Sequence, residues 1–433
     1  MRFCIHRGAK EIGGNCVEIE SQGKRLVLDI GLPLDAELED TPLPSIKGLA
    51  EADPSLLGIV ISHPHQDHYG LAHKVRAEVP ILIGPAAQRI LEVASIFTPG
   101  GISFQNIIPL QDRAPIAIGP FTITPYLMDH SAYDSYAVLV EAEGNRLFYS
   151  GDFRAHGRKG KLFRKLLRDP PKGVDVLLME GTNLGREDAQ AIQSEDDLEK
   201  EFIRHFKAAK GLVLVYASGQ NIDRLVTIFR ACLRTGKQFI VDMYTAAVLE
   251  ATGNANIPQH GFKNLRVYLP SRQKWKIIET RSFDLAKRHR SCRIFPEELA
   301  DEALRSVMLF RPSMRGELAK AKCLADATLI YSLWRGYLDR QDGQRLQEWL
   351  MQQGIILVQC HTSGHAAVKE LKKLGDAMSP KDTIVIHTAV PVLAAEQFGC
   401  STPGSTEWVQ VPKYRRVRAW ARQSRNIGKR DSG

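Results

Sequence analysis

The chain has 433 residues, 44% hydrophobic and 25% charged, an ordinary globular composition with core enough for two or more domains. No run of about 18 apolar residues occurs, which argues against a transmembrane helix and a membrane partner, and the first residues carry no apolar signal core. The net charge of +9 favours a polyanionic partner, and seven scattered cysteines without a Cys-x-x-Cys pair predict free thiols in a reducing, cytoplasmic compartment.

In chain order, residues 11–15 read as a Gly-rich turn, and 16–20 with 25–29 as a hairpin. Residues 56–61 form an apolar, β-branched run that predicts a buried strand. It ends in Ser62-His63-Pro64-His65-Gln66-Asp67-His68. Three imidazoles and a carboxylate at one strand end match the nitrogen and oxygen donors that zinc takes. Similar wiring recurs. A strand over 120–126 leads to Asp129-His130-Ser131, one over 145–150 ends in Gly151-Asp152, and one over 383–386 ends in His387. A strand over 175–179 ends in Glu180-Gly181-Thr182. Each acid or histidine alone could be structural. Together with residues 63–68 they predict one composite metal site.

Between these stretches the character changes. A helix over 195–210, a strand over 211–217, a helix to about 234 and a strand over 238–242 predict a parallel sheet with crossover helices. Ser218-Gly219-Gln220-Asn221 ends a strand and opens a helix, so Ser218, Asn221 and Arg224 are expected to face nucleic acid. Ordinary capping by Ser218 or Asn221 is the competing reading. Residues 253–295 read as loop-rich and basic, and 341–354 as a helix leading to a strand over 355–359. Eight Lys or Arg residues between Lys413 and Arg430, interleaved with Tyr414 and Trp420, suit phosphate contacts with base stacking; the competing reading is a solubilising tail.

These residues, in this order, resemble the metallo-β-lactamase superfamily, through Leu28-Asp29-Ile30-Gly31, His63-x-His65-x-Asp67-His68, His130 and Asp152. Glu180, His-x-Ser-Gly-His ending at His365, and His387 are similar to motifs A, B and C of its β-CASP nuclease branch, above all the ribonuclease J family. The resemblance implies an α/β chain built as a four-layer αββα sandwich with an inserted α/β domain holding a parallel sheet. It implies sandwich residues 1–188 and 351–412, an insert over 189–350, and a basic tail over 413–433. It further implies two zinc ions, with manganese an admissible substitute. His63, His65 and His130 would hold one ion, Asp67, His68 and His387 the other, and Asp152 would bridge. Asp67 and Asp152 would also take the nucleophile's proton, and Asp29 would orient a ligand. His365 would protonate the leaving oxygen with Glu180 orienting its ring, and Ser363 and Gly364 would bind phosphate.

The expected function is therefore a zinc-dependent ribonuclease, exo- or endonucleolytic, acting on single-stranded RNA. A DNA repair nuclease of the same fold and a small-molecule thioesterase or lactonase are the alternatives, and self-association as a homodimer is admissible. One departure stands out. Motif C reads Val385-Ile386-His387-Thr388-Ala389, where ribonuclease J has a Pro-Val-His-Gly-Glu type of segment.

Overall fold

The computed structural model describes residues 1–186, 192–402, 404 and 406–411. The basic tail, and the boundary expected at residues 188/189, lie outside the described residues. No described helix is long and apolar enough to cross a membrane.

Two sheets make the first domain. One holds β1 (Arg2–Arg7), β2 (Cys16–Ser21), β3 (Lys24–Leu28), β4 (Leu56–Val60), β5 (Ile81–Ile83) and β6 (Ile107–Pro109), with the late strand Trp408–Gln410 against β1. The other holds β7 (Ile116–Ile118), β8 (Phe121–Met128), β9 (Ser135–Ala142), β10 (Asn145–Tyr149) and β11 (Val176–Glu180), with Asp382–Ile386 beside β11. The inward side chains of the two sheets share one core, among them Phe3, Val17, Leu28 and Val60 against Phe121, Val138, Leu147 and Leu178. Burying each such side chain is worth about 1.5–3 kcal/mol. On one outer face, Ile59, Ile61 and Ile83 meet Ala87 and Leu91 of the helix Pro85–Phe97. On the other, Phe148, Leu177 and Val385 meet the helices Gly160–Arg168 and Val368–Met378. Helix, sheet, sheet and helix are the four expected layers.

The insert is one all-parallel sheet: β12 (Val213–Tyr216), β13 (Gln238–Asp242), β14 (Leu265–Tyr268), β15 (Arg293–Ile294), β16 (Ser306–Leu309), β17 (Thr328–Tyr331) and β18 (Ile356–Gln359), in the spatial order β15-β14-β13-β16-β12-β17-β18. Its central strands β12, β16 and β17 read as apolar runs because helices cover both faces. Two details differ from the sequence reading. β18 pairs with β17, Leu329 opposite Leu357, so the inserted sheet continues past residue 350. Residues 253–295, expected to be loop-rich, hold β14, β15 and the helices Ser271–Glu279 and Phe283–Arg288.

Candidate metal centre

β4, β11 and the strand Asp382–Ile386 all deliver ligand-type residues at their carboxyl ends, where α/β folds place their sites. After β4 the chain does not form an open loop. Asp67 and His68 ride a single helical turn, Gln66–Tyr69. That turn is locked to residues 29–32: Ile30 N donates to His68 O at 2.8 Å, and Leu32 N to Gln66 O at 3.0 Å. Gly31 is required here, since a Cβ would lie 1.8 Å from Asp67 O. Two non-glycine residues hold left-handed backbone at the site, Asp29 at φ 57° and His387 at φ 52°. Such strain collects where surrounding structure over-determines it for function.

The side chains converge into two adjoining groups. Ligand-type atoms of His63, His65 and His130 lie within 4.8 Å of one another, and so do those of Asp67, His68, Asp152 and His387. Asp152 sits between the groups: its Oδ2 is 3.1 Å from His68 Nε2, 3.7 Å from His387 Nε2 and 3.9 Å from His63 Nε2.

The hydrogen bonds behind this basin fix the tautomers. His130 Nδ1 donates to Gly364 O at 2.7 Å, His68 Nδ1 to Asp29 Oδ2 at 2.6 Å, and His387 Nδ1 to Asn15 Oδ1 at 3.0 Å. Ser62 Oγ donates to Asp29 Oδ2 and so accepts from His63 Nδ1 at 3.0 Å. Each of these Nδ1 atoms faces an acceptor, which leaves each Nε2 lone pair aimed inward. His63 Nε2, His387 Nε2 and Asp152 Oδ1 are buried without a hydrogen-bond partner among the described residues. Orphaned lone pairs of this kind cost about 1–3 kcal/mol each unless something positive meets them. The donor set therefore fits divalent cations.

Burial, then the neighbouring imidazoles, hold His63 and His130 well below the usual histidine pKa. Burial takes His65 down to about 4. They offer lone pairs, not protons. His68 goes the other way: burial opposes its charge, but Asp152, Asp29 and Asp67 outweigh burial and hold it well above. A cation competes with that proton for one lone pair.

Asp29 is fully buried and accepts from Ser62 N, Ser62 Oγ, Tyr149 Oη and His68 Nδ1. It braces Ser62, Tyr149 and His68 and does not line the cavity. Glu180 accepts from Phe153 N and Ala366 N through Oε1 and from Thr182 Oγ1 through Oε2. His365 Nδ1 is 3.2 Å from Glu180 Oε2 and 3.5 Å from Asp152 Oδ2. Burial works against charge on His365, yet Glu180 and Asp152 hold its pKa above the usual value.

A cavity of about 890 Å³ opens over these groups between sandwich and insert. His65, Asp67, Ser363, Gly364 and His365 line it from below, Ser218 and Asn221 from the insert, and Trp334 and Tyr337 at one side. Arg186 lies over the Trp334 ring at 5.2 Å and Arg340 over Tyr337 at 5.2 Å.

Arg224 corrects an expectation. It is fully buried, and its guanidinium donates to Glu195, Ser332 and Thr362. It cannot reach nucleic acid. Asn221 Oδ1 caps the helix Ile222–Thr235 by accepting from Arg224 N, so capping describes that turn, while Ser218 remains exposed to the cavity. The sequence reading missed several residues. Asn15 sits in the Gly-rich turn noted above. Tyr149 directly precedes Ser150-Gly151-Asp152. Asn183 Nδ2 holds Ser363 Oγ, His365 O and Ala366 O. Only position beside known motifs could have flagged them.

A family model described as "Beta-lactamase superfamily domain" matches residues 36–210. Beside the four layers and the histidine–aspartate basin, residues 36–210 are thus similar in sequence to the β-lactamase superfamily domain. Among curated proteins it resembles ribonuclease J. It is 26% identical to that of Helicobacter pylori over 245 residues, 54% of this chain and 35% of that protein. It is 22% identical to that of Mycoplasma genitalium over 406 residues, 88% of this chain and 66% of that protein. The chain thus matches about a third of the Helicobacter relative's length. A crystal structure of an Enterococcus faecalis V583 protein of unknown function shares the fold, with a TM-score of 0.76 and 19% identity over 94% of this chain and 99% of that one.

Proposed function

We propose that this protein is a zinc-dependent, β-CASP-type ribonuclease that hydrolyses phosphodiester bonds of single-stranded RNA. One observation carries the reading. The Glu180–Thr182–His365 group, which a plain ester hydrolase does not need, stands beside the metal basin at the floor of a cleft whose side carries Trp334 and Tyr337. Similarity to ribonuclease J supports the choice of RNA.

His63 Nε2, His65 Nδ1 and His130 Nε2 would hold one zinc ion, and Asp67, His68 and His387 the other, with Asp152 between them. Two such ions supply an activated water and neutralise charge on an in-line phosphoryl displacement. The chain's own residues do the rest. His365 Nδ1 is engaged by Glu180 and Thr182, so Nε2 holds the proton that the leaving ribose oxygen needs. Ser363 and Gly364 would contact the phosphate from the cleft floor, and Ser218 from the insert. Trp334 and Tyr337 offer aromatic surface to bases, while Arg186 offsets phosphate charge.

The test is His365→Ala on end-labelled RNA. Turnover is expected to fall about 10²–10⁴-fold, the usual worth of general acid catalysis, with zinc content by plasma emission unchanged. Because Asp152, Glu180 and His365 also bring ligand atoms within 4.8 Å of one another, matching zinc loss would make His365 a ligand and overturn its assigned role. A matched DNA strand cleaved as fast as the RNA would overturn the substrate.

A further inference from the structure

A second group of soft ligands lies in the insert, at the far side of its sheet. β15 is one edge strand, and β18, which leads toward His365, is the other. Just before β15 the chain makes a tight 3-10 turn, Arg290–Cys292. Side chains three apart eclipse on such a turn, so His289 and Cys292 stand on one face. His260 comes to them from the loop before β14. Ligand-type atoms of His260, His289 and Cys292 lie within 4.8 Å of one another. Cys292 Sγ is 3.8 Å from His260 Nδ1. Zinc bonds of about 2.0–2.3 Å imply a ligand–ligand edge of about 3.5 Å, so small side-chain adjustments close the set.

An independent observation points to a ligand. His289 is 0% exposed, and neither of its ring nitrogens has a hydrogen-bond partner among the described residues. A buried imidazole with both nitrogens unmet is costly unless something binds one of them. Glu250 Oε2 stands 3.8 Å from His289 Nε2 but is paired with Arg288 at 3.3 Å, so the negative charge at the site would come from a thiolate at Cys292.

We propose that His260, His289 and Cys292 form a zinc site of the insert, distinct from the cleft centre, that ties the loop around His260 to the turn before β15. With three protein ligands, water completes the coordination.

The cleft centre contains no sulfur, so cobalt distinguishes the two sites. Full-length protein stripped of metal and reloaded with Co²⁺ is expected to show a near-ultraviolet thiolate-to-cobalt charge-transfer band. Cys292→Ser should abolish that band, leave the weak visible bands of the histidine–carboxylate centre, and lower bound zinc by one ion per chain. Far-ultraviolet circular dichroism checks that the variant is folded. No band in the wild-type protein, or a band that survives in a folded Cys292→Ser variant, would overturn the site. Neither result bears on the ribonuclease reading, because the cleft centre keeps all its ligands.

Discussion

The cleft centre and the Arg154–Glu195–Arg224 cluster are both buried, both charged, and both assembled from distant stretches of chain, yet they are wired in opposite ways. In the cluster, charges find their counterparts. Arg154 meets Asp223 at 2.6 Å, Glu195 at 3.3 Å and Asp129 at 3.5 Å, and Arg224 meets Glu195 at 3.1 Å. In the centre, the Nδ1 atoms of His63, His68, His130 and His387 are satisfied from behind, while His63 Nε2, His387 Nε2 and Asp152 Oδ1 have no hydrogen-bond partner among the described residues. The difference separates architecture from chemistry. A matched cluster holds two domains in register, because Arg154 and Asp129 belong to the sandwich and Glu195, Asp223 and Arg224 to the insert. An unmatched cluster awaits a cation.

The contrast breaks most visibly at Asp152. Asp152→Ala should cost both metal occupancy and orders of magnitude in turnover without unfolding the chain; full metal retention by plasma emission would contradict the bridging position. In the matched cluster the outcome should invert. Glu195→Ala leaves two arginines short of a partner and should cost about 3–5 kcal/mol in urea unfolding, as broken buried pairs do, with metal content unaltered. If stability holds, the cluster is not what joins the domains. Asp29→Asn sharpens the comparison from the supporting layer. Metal affinity should drop about 10–100-fold, measured by competition with a chromophoric chelator, and an unchanged affinity would remove Asp29's positioning role.

The smallest effect concerns protons. His156 and His361 lie beside the matched cluster, and burial, then Arg154 or Arg224, lowers them to about 4 and about 3. The folded state keeps both neutral while the unfolded chain binds protons below about pH 6.5. Their contribution is therefore complete above pH 6.5 and declines as pH falls toward 4. The urea midpoint should drop between pH 7 and 4.5, and less so in His361→Asn; an equal drop in both would assign the loss elsewhere.

The convergence of His63, His65, Asp67, His68, His130, Asp152 and His387 was legible because each follows a short apolar strand, and strand ends of one sandwich edge must meet. The centre of the inserted parallel sheet was legible from the apolar runs at β12, β13, β16 and β17, whereas β14 and β15 were not. Arg224 was not. Its burial depends on Glu195, 29 positions earlier, and on Ser332, 108 positions later, and an arginine in a first helical turn looks alike whether it faces solvent or core. The pairing of β18 with the insert escaped for a related reason. Position after a helix does not reveal which of two sheets an apolar strand completes.

The insert joins the sandwich through two covalent crossings, and the described residues of both border the cleft. The outgoing one carries Thr182 and Asn183, the returning one Ser363, Gly364 and His365, and Asn183 laces them together. A rigid-body swing of the insert would therefore tug first on the imidazole assigned to proton delivery, while six of the seven side chains proposed to ligate metal, on strands and turns of the sandwich, would stay put and His130 would lose only its carbonyl prop. Hinge motion in this molecule would act as a throttle on turnover more than as a gate on metal.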